Sequence, residues 1–324
     1  MGNNSPKDRN YRPLEGKVAL VTGASRGVGR GTAIELAAAG ALVYVTCRPI
    51  NYGQNRRVGG DIFDVAKEIK RRQGKCVVIY CDHNDPQQVS TLFERIDRET
   101  DGRLDILVNN AYSAVEFIMR NTLCKFYDYQ MQPERAFDLS VTVGLRNAYI
   151  CAVYAAKMMV KRRSGIIINM SSIGSLAHLF DVSYGVTKAG LDKMTSEMAL
   201  DLVDDNVTVI SLHPGPVKTE TITDIVLSDN NDNQSQKDLF KIGESIYLTG
   251  RILVRLACDR NIISKTGKVL PNAILATEYK VKDVDDRPVP NIYPQDWIEF
   301  LDKQYEIRMG DKARTAKGVM TAKL

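Results

Sequence analysis

Tyr184 and Lys188 stand four residues apart in the stretch INMSSIGSLAHLFDVSYGVTKAG, residues 168–190. On a helix that spacing puts both side chains on one face. A phenol beside an ammonium is an acid–base device. An unperturbed phenol holds its proton to about pH 10, about three units too high for work at neutrality, a gap of roughly 4 kcal/mol. One ammonium at about 4 Å, at an effective dielectric of about 20, supplies roughly that much. Two hydroxyls, Ser171 and Ser172, precede the pair and could hold an oxygen on which charge develops. Surface pairs of this kind are common on ordinary helices, so the chemistry depends on what the rest of the chain supplies.

The elements that must position these groups can be read from apolar runs and their stops. Strands are expected at KVALVTG (17–23), ALVYVTC (41–47), KCVVIYCD (75–82), LDILVNN (104–110), GIIINMS (165–171) and VTVISLHPG (207–215), with a weak last one at GKVLP (267–271). Helical segments lie between them at 29–40, 61–73, 86–100, about 134–161 and about 184–203. Strands alternating with helices imply βαβ units. The expected fold is α/β, a doubly wound Rossmann-type parallel sheet with helices on both faces in a single domain. Residues 1–15 read as an arm, 16–271 as the domain with a substrate loop at about 220–250, and 272–324 as an irregular extension and tail. Residues 111–133 show weak periodicity, and SDNNDNQSQK (228–237) reads as a mobile loop.

The first strand runs into TGASRGVGRG, residues 22–31. A strand, a glycine-rich turn and a helix let a backbone approach a pyrophosphate, which meets free N–H groups and the positive end of the helix. The glycines, Gly23, Gly27 and Gly29, are spaced GxxxGxG and do not match the GxGxxG dinucleotide fingerprint. A flexible turn with incidental glycines has the same look.

Composition excludes several other functions. The 324 residues carry 44 basic and 39 acidic side chains, a net charge of +5, too balanced to argue for nucleic acid. The six cysteines, at 47, 76, 81, 124, 151 and 258, form no CxxC pair, and there are three histidines, so no metal site is expected and the thiols fit a reducing compartment. No apolar run approaches the roughly 20 residues of a membrane span. The polar start MGNNSPKDRN has no signal-peptide core, and Pro6 stands where a myristoylation signal wants Ser or Thr.

TGASRGVG, NNA (109–111), the Ser, Tyr184 and Lys188 set, and HPGPVKTE (213–220), in this order and spacing, resemble the short-chain dehydrogenase/reductase family over about residues 15–270. NNAYS in place of the usual NNAG, VGLRNAY (143–149), SYGVTKAG (183–190) and TGKVLP onward (266–289) resemble its subfamily called dehydrogenase/reductase short-chain member 1. The resemblance implies an NADP(H)-dependent carbonyl reductase acting on small ketones or aldehydes, steroids and xenobiotics among them. Tyr184 would be the general acid, Lys188 would lower its pKa and hold the nicotinamide ribose, and Ser171 would orient the substrate oxygen. Ser171 lies 13 residues before Tyr184 and begins an SxxG run to Gly174; Ser172 is the alternative hydroxyl. The cofactor would be held by Gly23, Ser25, Arg26, Gly27, Val28 and Gly29 at the turn, by Asp82, Asn109 and Ala111, and by Pro214, Gly215, Val217 and Thr219 after the sixth strand. NADP is favoured over NAD because residues 41–60 contain no Asp or Glu: Cys47 stands where an NAD-type acid would, Arg48 follows it, and Arg26 is a second cation. One departure concerns the Asn that many members carry on the long helix. The matching position, 27 before Ser171, is Gly144, with Thr142 and Asn147 nearby. The missing side chain would leave a proton relay behind Lys188 incomplete unless a water or Asn147 substitutes.

Family members are usually homodimers or homotetramers, and the same is expected here. The chain ends MTAKL, and Ala-Lys-Leu resembles the peroxisomal address read by an import receptor, which points to the peroxisome, with cytoplasm or the endoplasmic reticulum surface as alternatives. Two further functions stay open at this stage: an acyl-CoA-linked oxidoreductase of peroxisomal lipid metabolism, and an NADP-binding regulatory protein with weak turnover.

Overall fold

The computed structural model describes residues 12–49, 60–121, 124–228, 234–284 and 286–321. Seven strands form one parallel sheet: β1 (Val18–Val21), β2 (Leu42–Cys47), β3 (Lys75–Tyr80), β4 (Ile106–Asn109), β5 (Gly165–Met170), β6 (Val207–His213) and β7 (Val269–Pro271). Their order is β3-β2-β1-β4-β5-β6-β7. β1, β4 and β6 are buried at every position, which is why they read as unbroken Val, Ile and Leu runs rather than as alternating ones. The strand order reverses between β1 and β4, so a crevice opens beyond the carboxyl ends of these two neighbours.

The helices that cover the sheet are α1 (Gly27–Ala38), α2 (Ile62–Arg71), α3 (Pro86–Thr100), α5 (Pro133–Val141), α6 (Asn147–Arg162), α7 (Val182–Leu202), α10 (Leu248–Cys258), α11 (Asn272–Glu278) and α12 (Gln295–Thr321). α1, α2, α10 and α11 build the core on one face; α3, α6 and α7 build it on the other. Their starts follow local chemistry. Asp61 caps α2, and Asp85 caps α3 just before Pro86. Asp181 caps α7 by accepting the Tyr184 N–H. A five-residue π-helical turn, Thr142–Arg146, joins α5 to α6. Among the described residues, the run Pro133–Arg162 is the helix long and apolar enough to cross a membrane, with a mean hydropathy of 1.2 over its most apolar window. It packs on the sheet and on α3 as a core helix.

Three segments differ from expectation. Residues 111–133 contain a helix, α4 (Val115–Arg120), and the loop expected at 228–237 is helical from its second half as α9 (Gln234–Lys241). With α8 (Glu220–Ile225), these helices form a small separate core of Ala114, Ile118, Met119, Ile222, Val226 and Phe240 above the crevice. The extension expected to be irregular carries α11 and the long α12, kinked at Gly310. Leu301, Tyr305 and Met309 of α12 are buried, the last two in the same core as α7. The arm through residue 11, residues 229–233 and the terminal Ala-Lys-Leu lie outside the described residues.

α1 and α10 pack closely because Gly31 has no side chain. A Cβ there would collide with the backbone of Ile246 and Tyr247. Gly31→Ala is therefore expected to destabilise the fold by roughly 1–3 kcal/mol, the usual range for overpacking. Urea unfolding of the parent and variant, compared at equal slope, measures it.

Candidate active site

The crevice holds a cavity of about 460 Å³. Its walls include the glycine turn between β1 and α1, the ends of β2 and β3, and the segments after β4, β5 and β6. Tyr184 and Lys188 enter from the first turns of α7, one helical turn apart. Both line the cavity, as do Ser171 and Ser172.

The structure corrects the choice between the two hydroxyls. The Tyr184 hydroxyl donates to Ser172 Oγ at 2.8 Å. Ser171 Oγ instead donates to the Lys188 carbonyl at 3.1 Å, and its N–H pairs with Leu212 on β6. Ser172 remains extended, at φ −168°, so successive side chains still point to opposite sides. Ser171 thus ties the strand to α7, and Ser172 faces the phenol. Gly174 leaves room for the Tyr184 ring, since a Cβ there would touch Cε1 and Cδ1.

The expected lowering of the Tyr184 pKa is absent from this arrangement. Burial dominates and pushes the phenol up to about 12, with the Ser172 hydrogen bond opposing and Asp181 adding to it. The Lys188 ammonium lies 5.5 Å from the Tyr184 ring centroid and donates to the Met170 carbonyl at 2.9 Å. Burial pulls Lys188 down to about 8, and nearby Asp192 partly restores it. Asp192 is itself buried against Ser211 and His213, and His213 meets Tyr293 of the C-terminal extension at 2.8 Å. That extension is thus part of the support behind the site.

The turn has the shape expected of an anion cradle. Gly23 and Gly27 both have positive φ, and a Cβ on Gly23 would sit 2.8 Å from Ala111 Cα. The Gly27 N–H at the start of α1 donates to the carboxylate of Glu220 at 2.7 Å, so an anionic group already occupies that donor. Ser25, Arg26, Val28, Cys47, Arg48, Asp82, Ala111, Pro214, Gly215, Val217 and Thr219 line the same cavity.

Two expected cofactor contacts are placed elsewhere. Asn109 is buried behind the cavity, donating to Asn169 and to the Ala148 carbonyl, and so clamps β4 to β5 and α6. Its neighbour Asn110 lines the cavity and donates to the Thr22 and Gly23 carbonyls. Gly29 does not line the cavity; it makes way for the Asn110 side chain. The Asn147 side-chain oxygen is engaged by His83 and Cys151. His83, also on the cavity wall, is held neutral by burial, its pKa lowered to about 4. Sequence reasoning missed His83, Glu220 and the aromatic Tyr112. Only Tyr112 carried a signal, as the unusual residue of NNAYS.

Below about pH 8 Lys188 is an ammonium; above it the charge is lost. A titration of lysines labelled with ¹³C at Cε is expected to show one midpoint near 8, well under the ordinary value near 10.4. Disappearance of that signal in Lys188→Met assigns it. A Lys188 midpoint above 10 would contradict the buried placement.

Comparison with known proteins agrees with this geometry. A family model described as short chain dehydrogenase matches residues 17–230. The chain is 43% identical over 282 residues to human dehydrogenase/reductase SDR family member 1, covering 86% of each chain. It is 32% identical over 238 residues to NADPH-dependent aldehyde reductase 2, chloroplastic, of Arabidopsis thaliana, covering 72% of this chain and 84% of the relative. A solved short-chain type dehydrogenase/reductase from Mycobacterium marinum superposes with a TM-score of 0.65 at 26% identity, covering 80% of this chain and 94% of the other. A Tyr and a Lys one turn apart on the wall of a glycine-turn crevice, within a sheet of this order and a sequence match of this extent, make the chain a member of the short-chain dehydrogenase/reductase family.

Proposed function

We propose that the chain is an NADP(H)-dependent reductase of apolar ketones or aldehydes. The observation that carries this reading is the Tyr184–Ser172 hydroxyl pair, 2.8 Å apart in one cavity with the glycine turn. The bound cofactor supplies the hydride. A carbonyl oxygen that reaches the pair meets two hydroxyls. Ser172 orients it, and Tyr184 delivers the proton as negative charge develops there. A phenol raised to about 12 by burial keeps its proton at neutral pH and is ready to donate. The Lys188 ammonium favours the phenolate that remains.

The preference for NADP(H) is supported by the end of β2. Cys47 and Arg48 line the cavity there, and Arg26 lines it from the turn. Residues 41–60 supply no carboxylate to bond a ribose 2′-hydroxyl, whereas guanidinium groups suit a 2′-phosphate. The name of the Arabidopsis relative points the same way. The class of substrate is supported by the apolar part of the cavity lining, which includes Ile118, Met119, Phe180, Ile222, Phe240 and Ile292. The same reading makes the chain a homodimer or homotetramer, and Phe137, Tyr149, Val182 and Val186 offer exposed apolar side chains on α5, α6 and α7.

With NADPH and a panel of apolar ketones and aldehydes, Tyr184→Phe is expected to lower kcat by roughly 10²–10⁴-fold and leave NADPH binding nearly intact. Ser172→Ala is expected to fall by about 10² as well, and Ser171→Ala by much less, since it loses a bond to backbone only. Full activity in Tyr184→Phe, or a larger loss in Ser171→Ala than in Ser172→Ala, contradicts the assignment.

Fluorescence titration is expected to show NADPH bound about a hundredfold more tightly than NADH, the value of charge-assisted contacts to one phosphate. The double substitution Cys47→Asp with Arg48→Ala should reverse the order. Equal affinities in the parent protein would refute the cofactor reading.

A further inference from the structure

Two departures in the sequence meet in space. Tyr112 is the unusual residue of NNAYS, and Gly144 stands where the family resemblance implies Asn. Gly144 lies in the π-helical turn and faces the Tyr112 ring. A Cβ at this position would sit 2.8 Å from Tyr112 Cδ2, 3.0 Å from its Cε2 and 2.9 Å from Thr187 Cγ2. The ring therefore fills the space that a side chain at 144 would need.

The same ring faces the Lys188 ammonium. Nζ lies 4.9 Å from the Tyr112 centroid, nearer than the 5.5 Å to Tyr184. The Tyr112 and Tyr184 rings meet edge to face at 5.9 Å. The Tyr112 hydroxyl is 2.9 Å from Ser140 Oγ, which is 3.0 Å from Ser183 Oγ. Ser183 donates to Asp181, and the same carboxylate oxygen caps α7 through the Tyr184 N–H. Tyr112 is thus tied to the start of the helix that carries both Tyr184 and Lys188.

We propose that Tyr112 is the positioning residue for Lys188: its ring, seated against Gly144, holds the buried ammonium by its π face. This rests on the reading of Tyr184 and Lys188 as the acid–base pair. Burial favours the neutral amine, and the negative face of an aromatic ring opposes that preference most strongly where water is excluded. The ring keeps Lys188 charged at neutral pH and fixes it by attraction to its π face. The other titratable groups around the lysine are Tyr184, Asp181 and Asp192 on its own helix, His213 on β6 and Tyr293 of the extension.

The test reads the proton on Lys188 directly, by the Cε-labelled lysine titration, without turnover or cofactor. Tyr112→Leu is expected to lower the midpoint by about one pH unit, and Tyr112→Phe, which keeps the ring, to leave it within about 0.3 unit. Replacing Tyr112 with a ring-fluorinated phenylalanine keeps the shape but withdraws electron density. It should lower the midpoint as Leu does, and it serves if the Leu variant does not fold. Unchanged midpoints in the Leu and fluorinated proteins overturn the proposal. The seating against Gly144 is tested separately. Gly144→Asn should lower the melting temperature more in the parent than together with Tyr112→Gly, where only the Thr187 methyl still crowds the new side chain. Equal damage in both backgrounds overturns it. A protein that failed as a reductase would still give both readings, so a wrong substrate or cofactor leaves the test intact.

Discussion

An ammonium taken out of water must be given back what water supplied. Lys188 is 7% exposed, and the elements around it are arranged to hold its charge. The end of β5 offers the Met170 carbonyl, α7 offers Asp192, and the segment after β4 offers the Tyr112 ring. Each of these has its own support. Asp192 is held by Ser211 and His213 of β6, and His213 by Tyr293. Ser171 fastens β5 to the Lys188 backbone, so the lysine and its carbonyl partner keep their separation. The parallel sheet brings the ends of β4, β5 and β6 to one edge, where residues far apart in sequence can surround a single charge.

Much of this was legible in the residues. Strands buried on both faces read as apolar runs, the glycine turn followed the first of them, and the spacing of Tyr184 and Lys188 required one helix face. What spacing could not decide was direction. Strand alternation implied that Ser171 and Ser172 point opposite ways, but which of them meets the phenol depends on where α7 lies. The same ambiguity separated Asn109, turned into the core, from Asn110, turned to the cavity. The extension misled for another reason. Leu301, Tyr305 and Met309 repeat every four residues on a buried stripe, but exposed Phe300 and Ile307 blur it, and a glycine at 310 interrupts the helix.

The weakest sequence signals fall on the cover of the cavity, and there is a physical reason. α4, α8 and α9 share a small core of their own, and members of it such as Ile118 and Phe240 also line the cavity. A helix that is half satisfied by a neighbour and half by a pocket has no clean polar face to announce it. Glu220, at the start of α8, also reaches the Gly27 N–H, so the cover is latched to the glycine turn by a carboxylate from 193 residues away. The cover and the glycine turn are thus joined by a direct hydrogen bond.

The contact between Tyr112 and Gly144 bears on history as well as on chemistry. A ring at 112 and a side chain at 144 cannot both keep these positions: a Cβ at 144 meets the Tyr112 ring and the Thr187 methyl at under 3 Å or close to it, so the ring, α7 or both must shift. A chain with a side chain at 144 must lose or move it before a ring at 112 can take this seat. The return journey is blocked in the same way until the ring has gone. The pair therefore acts as a ratchet: once the aromatic arrangement is in place, no single substitution at 144 restores the other. Two chains of the same fold can in this way hold the same lysine by different means and stay separated by more than one step.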